Sequence, residues 1–76
     1  MNLRQARKYF ERNYQKLTRL FYEQYGDLPC GGWKNPRVSC VLDDDTIEIH
    51  CHYDMLDTKD ESWEYLFNMK TEQFYP

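Results

Sequence analysis

The chain has 76 residues, which is room for one domain spanning residues 1–76. A domain of this size buries too little surface to be more than marginally stable, although an aromatic content of 17% adds apolar area to the core. The three cysteines are an odd number, which argues against a secreted disulfide framework. The sequence contains no run of about 18 apolar residues, which a membrane-spanning helix would need, and no apolar segment follows Met1. We therefore expect a cytoplasmic protein with reduced thiols.

The formal net charge of -3 conceals an uneven distribution along the chain. Residues 1–25 carry six basic and two acidic side chains, whereas residues 26–76 carry four basic and eleven acidic ones. Such asymmetry is found in proteins that bind nucleic acids or basic proteins. It also arises when the two halves of one fold neutralise each other, and both interpretations stay open at this point.

Residues 3–25 predict one amphipathic helix, because apolar residues recur at spacings of three and four from Leu3 to Phe21. Asn2 is a suitable N-cap, and Gly26 suits the left-handed conformation that ends many helices. The opposite face of this helix is basic and is either simply solvated or a surface for nucleic-acid phosphates. Its candidate nucleic-acid-binding residues are Arg4, Lys8, Arg12 and Arg19.

Residues 26–36 predict a loop, because three glycines and two prolines exclude regular structure there. Trp33 is the most distinctive residue of this segment. In one interpretation its indole caps one end of the core, which is the usual location of a tryptophan in a small domain. In the other it is an exposed anchor for a partner, so we retain Trp33 as a candidate partner-binding residue.

Residues 46–55 predict a half-buried strand around which the rest of the chain is organised. Apolar and polar residues alternate over ten positions, with apolar residues at the odd numbers. His50 and His52 therefore lie on the exposed face, whereas Cys51 lies on the buried face. The other secondary-structure elements have to cover the apolar, odd-numbered side chains of this strand.

Residues 37–42 predict the first strand of a hairpin. Pairing Leu42 with Ile47 places the apolar faces of both strands on one side and leaves a four-residue loop at positions 43–46. In this register Cys40 faces Ile49 and Val38 faces Cys51 on the buried side, while Ser39 faces His50 and Arg37 faces His52 on the exposed side.

A second helix is predicted to begin at Thr58, because Thr58 and Glu61 have the spacing of a capping box. Its inner face would carry Trp63, Leu66, Phe67, Lys70 and Phe74. The predicted fold is therefore α+β, with the order helix–strand–strand–helix. Two amphipathic helices cover one face of an antiparallel hairpin in two layers, because a two-stranded sheet is unstable alone. The open edge of the hairpin would permit a homodimer.

No arrangement of residues points to catalysis. His50 and His52, with Glu48 or Asp54 beside them, have the side chains of a zinc or iron site, but an exposed hairpin lacks the enclosed cavity that metal catalysis needs. Cys51 points away from both histidines and lacks the base that a cysteine nucleophile requires. We therefore predict a non-catalytic protein with no metal and no cofactor.

The acidic residues form two groups, one at the hairpin loop and one at the start of the second helix. The leading hypothesis is a small inhibitor or adaptor that docks on a larger, basic protein through these carboxylates. In composition the chain resembles compact acidic inhibitors carried by phages and other mobile elements, including those aimed at host defence nucleases. The alternatives are a nucleic-acid module that uses the first helix, and carboxylates that serve only solubility. The candidate partner-binding residues are Asp43, Asp44, Asp45, Asp57, Asp60, Glu61, Glu64 and Trp33.

Overall fold

The computed structural model of the protein describes residues 1–26, 32–53 and 62–75. Its elements are α1 (Leu3–Arg12), α2 (Tyr14–Tyr25), β1 (Arg37–Val41), β2 (Thr46–His52), β3 (Ser62–Asn68) and β4 (Gln73–Tyr75). The four strands form one antiparallel sheet in the order β1-β2-β3-β4. The prediction of an α+β fold is confirmed, but the predicted order helix–strand–strand–helix is wrong.

The helical segment is interrupted at Asn13. Its start is as predicted, because Asn2 Oδ1 accepts a hydrogen bond from Gln5 N at 2.8 Å and Gln5 Oε1 accepts one from Asn2 N at 2.9 Å. The side-chain Nδ2 of Asn13 donates to the carbonyl oxygen of Tyr9 at 2.9 Å, alongside the backbone N–H of Asn13 at 3.0 Å. Such local bonds compete with helix geometry, so the single predicted helix is two helices. In the described parts of the chain, neither helix is long and apolar enough to cross a membrane.

Strand β2 has the alternation that the sequence predicts. Ile47, Ile49 and Cys51 are fully buried, and the residues between them are half-buried. The strand ends at His52, and the last two positions of the predicted strand, 54 and 55, lie outside the described residues. Because β2 pairs with β1 on one side and with β3 on the other, it lies at the centre of the sheet.

The register between β1 and β2 differs from the predicted one. Val38 faces Ile49 and Val41 faces Ile47, with an irregularity between Val38 and Cys40. An extra residue at a β-bulge reverses the alternation that follows it. The strict alternation that we assumed for residues 37–42 is therefore broken in its middle.

The shifted register corrects several assignments. Cys40 faces Glu48 instead of Ile49, so it does not lie on the buried face. Leu42 is 51% exposed, beyond the end of β1, and does not pair with Ile47. Arg37 faces His50 instead of His52.

The predicted second helix is wrong over residues 62–75, which form β3, a turn and β4. All seven residues of β3 pair with β2, so each strand provides hydrogen-bond partners for the other. Tyr65 and Phe67 are buried and Trp63 is half-buried at every second position, which suits the β propensity of aromatic residues. Residues 58–61, where the helix was predicted to begin, lie outside the described residues.

The turn between β3 and β4 is built on Asn68. Its side-chain Oδ1 accepts hydrogen bonds from the backbone N–H groups of Lys70 and Thr71, both at 2.9 Å. Glu72 has a positive φ of 60° and its N–H donates to the carbonyl oxygen of Asn68 at 2.8 Å. The chain then returns as β4, which places Phe74 opposite Phe67.

One core joins both helices to the inner face of the sheet. Phe21 is at its centre, with its ring centroid 4.9 Å from those of Trp33 and Tyr65 and 5.4 Å from that of Phe74. The buried residues are Ala6, Phe10, Leu17, Phe21, Trp33, Val38, Ile47, Ile49, Cys51, Tyr65, Phe67 and Phe74.

Substituting Phe21 by Ala should unfold most of the protein at room temperature. The fully buried ring contacts aromatic residues from the loop, β3 and β4, and such truncations cost about 3–5 kcal/mol, which is comparable to the whole stability of a small domain. Urea unfolding followed by circular dichroism measures the change. The control is Tyr22→Ala on the same helix, where the side chain is 44% exposed, and equal effects of the two substitutions would contradict the proposed core.

Candidate functional site

The three aspartates of the hairpin, Asp43, Asp44 and Asp45, are exposed in the turn between β1 and β2. Asp43 has a structural role there, because its Oδ1 accepts hydrogen bonds from the N–H groups of Asp45 and Thr46, both at 2.9 Å. The hydrogen bond from Asp45 is the main cause that lowers the pKa of Asp43 below its usual value. Asp44, by contrast, has a 99% exposed side chain that lies 3.9 Å from the N-terminal amine.

The second predicted acidic group is not found at a helix start. Glu64 lies in β3, is exposed and faces His50 of β2. The other predicted members, Asp57, Asp60 and Glu61, lie outside the described residues.

Trp33 is not an exposed anchor. Its side chain is only 8% exposed, packs on Phe21, and donates from Nε1 to Thr18 Oγ1 at 2.9 Å. The interpretation in which its indole caps the core is therefore the one that fits the structure. The preceding residue, Gly32, has a φ of 68° and accepts a hydrogen bond from Trp63 Nε1 at 2.9 Å, which connects this loop to β3.

The predicted basic face is divided between the two helices. Arg4, Lys8 and Arg12 are exposed on α1, and no ion pair involves them within residues 1–26, 32–53 and 62–75. Arg19 lies on α2, where its Nε is 3.7 Å from a carboxylate oxygen of Glu23. The interruption at Asn13 therefore places Arg19 on a different helix from the other three residues.

A groove lies where α1 meets the start of β1. It has a volume of about 410 Å³, and Arg7 and Arg37 line it. The other residues that line the groove are Phe10, Glu11, Pro36 and Val38. Arg7 is not among the candidate binding residues predicted from the sequence. It flanks the apolar stripe of α1, however, and a residue in that position lies beside the surface that the helix covers.

The outer face of the sheet, opposite the core, combines apolar and acidic side chains. In one row Leu66 lies between Glu48 and Tyr75, and in the next His50 lies between Arg37 and Glu64. Leu66 is half-buried and Tyr75 is 41% exposed. Arg37 is at the end of the second row and also lines the groove, so we use the term outer face for Glu48, His50, Glu64, Leu66 and Tyr75.

The two described cysteines are free thiols. Glu48 Oε1 accepts hydrogen bonds from Ser39 Oγ at 2.6 Å and from Cys40 Sγ at 3.6 Å. Burial, followed by the charge of Glu48, raises the pKa of Cys40, and burial raises the pKa of Cys51 to about 11. Both thiols are therefore protonated near neutral pH and are not activated as nucleophiles.

Among the residues that the structure describes, no three His, Cys, Asp or Glu side chains are grouped closely enough to hold a metal ion. His52 uses Nδ1 in a 2.8 Å hydrogen bond with the carbonyl oxygen of Tyr53. Comparisons with protein-family models, with curated proteins and with solved structures found no match to this chain. The described surface features that suit a ligand or partner are the outer face, the exposed charges of the helices and the groove.

Substituting Asp43 by Ala should lower the melting temperature at pH 7 more than Asp44→Ala does, because only Asp43 accepts hydrogen bonds from the turn. The pKa of Asp43 is lowered on folding, so its stabilisation is present above its ordinary value of 3.8 and is lost as the pH falls through the folded-state pKa. The difference between the parent protein and Asp43→Ala should therefore shrink in acid. Thermal unfolding at several pH values tests this, and equal effects of the two substitutions at pH 7 would contradict it.

Proposed function

We propose that this protein is a small non-catalytic binding module that docks on a larger protein as an inhibitor or adaptor. The observation that supports the proposal is that neither helix covers the outer face. Both helices pack through the core on the opposite side of the sheet. Among the described residues, this leaves Leu66 and the exposed Tyr75 on a four-stranded surface with two carboxylates beside them.

The chemistry of the outer face suits a basic protein partner. Tyrosine is enriched at the centres of interfaces, since its ring offers a large contact area with few rotatable bonds. Glu48 and Glu64 supply negative charge on the same face, and the exposed Asp44 and Asp45 extend it at the turn. Such carboxylates steer association more than they add affinity. In this proposal Tyr75 replaces the buried Trp33 as the aromatic anchor.

A nucleic-acid-associated role through α1 is the second candidate. Arg4, Lys8 and Arg12 follow at intervals of four residues and are exposed, without ion pairs in the described part of the chain. Cations in such a row suit contacts with phosphates. This candidate predicts binding that weakens steeply as salt is raised.

A cytoplasmic location and a homodimer through the edge of β1 remain proposals of ours as well. β1 is the outer strand of the hairpin and an edge of the sheet, which supports edge pairing. The irregularity between Val38 and Cys40 opposes it, since bulges disrupt the flat edge that a second strand needs. The comparison with phage-encoded inhibitors rests on composition alone.

Capture experiments with a matched pair of double variants test the docking proposal. Tyr75→Ala with Glu64→Lys alters the outer face, whereas Tyr22→Ala with Glu23→Lys makes the same changes at exposed residues of α2. The immobilised parent protein and both variants are exposed to nuclease-treated lysate of the source cells, and retained proteins are quantified by mass spectrometry. We expect a protein whose retention falls at least about tenfold with the outer-face variant only.

Two outcomes contradict the proposal. Equal retention by both double variants would show that the outer face is not the docking surface. Retention that is found with untreated lysate and is lost after nuclease treatment would instead favour the second candidate. Because the altered residues are exposed, we expect every variant to keep the fold. Circular dichroism of each variant checks this.

A further inference from the structure

Two arginines from distant parts of the chain converge on one groove. Arg7 belongs to α1 and Arg37 to β1, and both line the cavity of about 410 Å³ described above. Both side chains are exposed, and neither forms an ion pair or a side-chain hydrogen bond within the described residues. Their donors are therefore available to a ligand.

The arginines favour an anion with several oxygen atoms. A guanidinium presents its N–H donors in a fixed plane that matches phosphate or carboxylate oxygens in pairs. Arg4 lies one turn before Arg7 on α1 and adds positive potential, because it too has no ion pair in the described part of the chain.

The remaining lining residues distinguish between classes of anion. Glu11 lines the groove without forming an ion pair with Arg7, although the two are four residues apart on α1. If one carboxylate of an acidic peptide bound the two arginines, the Glu11 carboxylate would repel a second peptide carboxylate beside it. It would instead accept a hydrogen bond from a hydroxyl or amino group of the ligand. Phe10, Pro36 and Val38 add an apolar wall.

We propose that this groove binds a nucleotide, with its phosphate on Arg7 and Arg37 and its ribose or base against Glu11 and the apolar wall. A nucleotide combines one anionic group, hydrogen-bond donors and a flat base, which are the three features that the lining residues complement. The cavity volume is also within the range of about 300–1,000 Å³ that is usual for small-ligand sites. The proposal does not depend on docking through the outer face.

NMR titration of the isotope-labelled protein with adenosine monophosphate tests the site directly. We expect the largest amide shifts at residues 7–11 and 37–38, and binding at least about tenfold weaker in Arg7→Gln and in Arg37→Gln. Lys70→Gln is the control, because it removes one positive charge from the exposed turn between β3 and β4 without removing a lining residue. Comparable weakening by Lys70→Gln would overturn the proposal in favour of diffuse electrostatic attraction.

Glu11→Leu separates recognition of the nucleoside from recognition of the phosphate. Removing the negative charge should strengthen the binding of the phosphate group in inorganic phosphate and in adenosine monophosphate alike, whereas removing both acceptor oxygens should weaken only the binding of adenosine monophosphate. We therefore expect the ratio of adenosine monophosphate affinity to phosphate affinity to fall. An unchanged ratio would mean that Glu11 does not contact the nucleoside and would contradict the assignment of a nucleotide.

A single-stranded oligonucleotide of about ten residues identifies the source of the nucleotide. Tighter binding than adenosine monophosphate, with the same dependence on Arg7 and Arg37, means that the groove holds one nucleotide of a strand. Tighter binding of the free nucleotide means that a small molecule is the ligand. No shift with either probe in the groove would refute the proposal.

Discussion

Aromatic packing around Phe21 is the interaction on which the rest of the structure depends. This one ring contacts Trp33 of the loop, Tyr65 of β3 and Phe74 of β4, so it joins segments that are far apart in the chain. Gln24 reinforces the connection one turn later, since its side-chain amide donates to the carbonyl oxygen of Phe74 at 2.7 Å and accepts from its N–H at 2.9 Å. By fixing which side of β3 and β4 faces inward, this packing also determines which side chains form the outer face.

The sequence predicted correctly those parts of the fold that depend on interactions between residues close together in the chain. The Asn2 cap and the alternation of β2 were both readable, because each involves neighbours in the sequence. The strand β3 was not, since Trp63 and Phe67 are four residues apart and this spacing fits a helix face as well as a strand face. Pairing with β2 decides between the two, and the bulge in β1 likewise arises only when the strands pair.

The candidate surfaces were harder to predict than the core, because they depend on contacts between distant residues. Arg7 and Arg37 are thirty positions apart and meet only because α1 packs beside β1. The net charge of the chain also did not predict the charge of the candidate surfaces. The described residues carry nine basic and eight acidic side chains and are together close to neutral. A nearly neutral body acts through local groups of charge, so the outer face and the groove can serve ligands of opposite sign.

The outer face and the aromatic core both require residues 62–75 to be strands, so the most direct test is an NMR measurement of nuclear Overhauser effects in this segment. The structure predicts cross-strand contacts between Glu48 and Leu66 and between Ile49 and Tyr65, which are register partners of β2 and β3. Contacts between residues three apart along 62–75, in place of these cross-strand contacts, would mean a helix there. That result would remove the outer face and contradict the account as a whole.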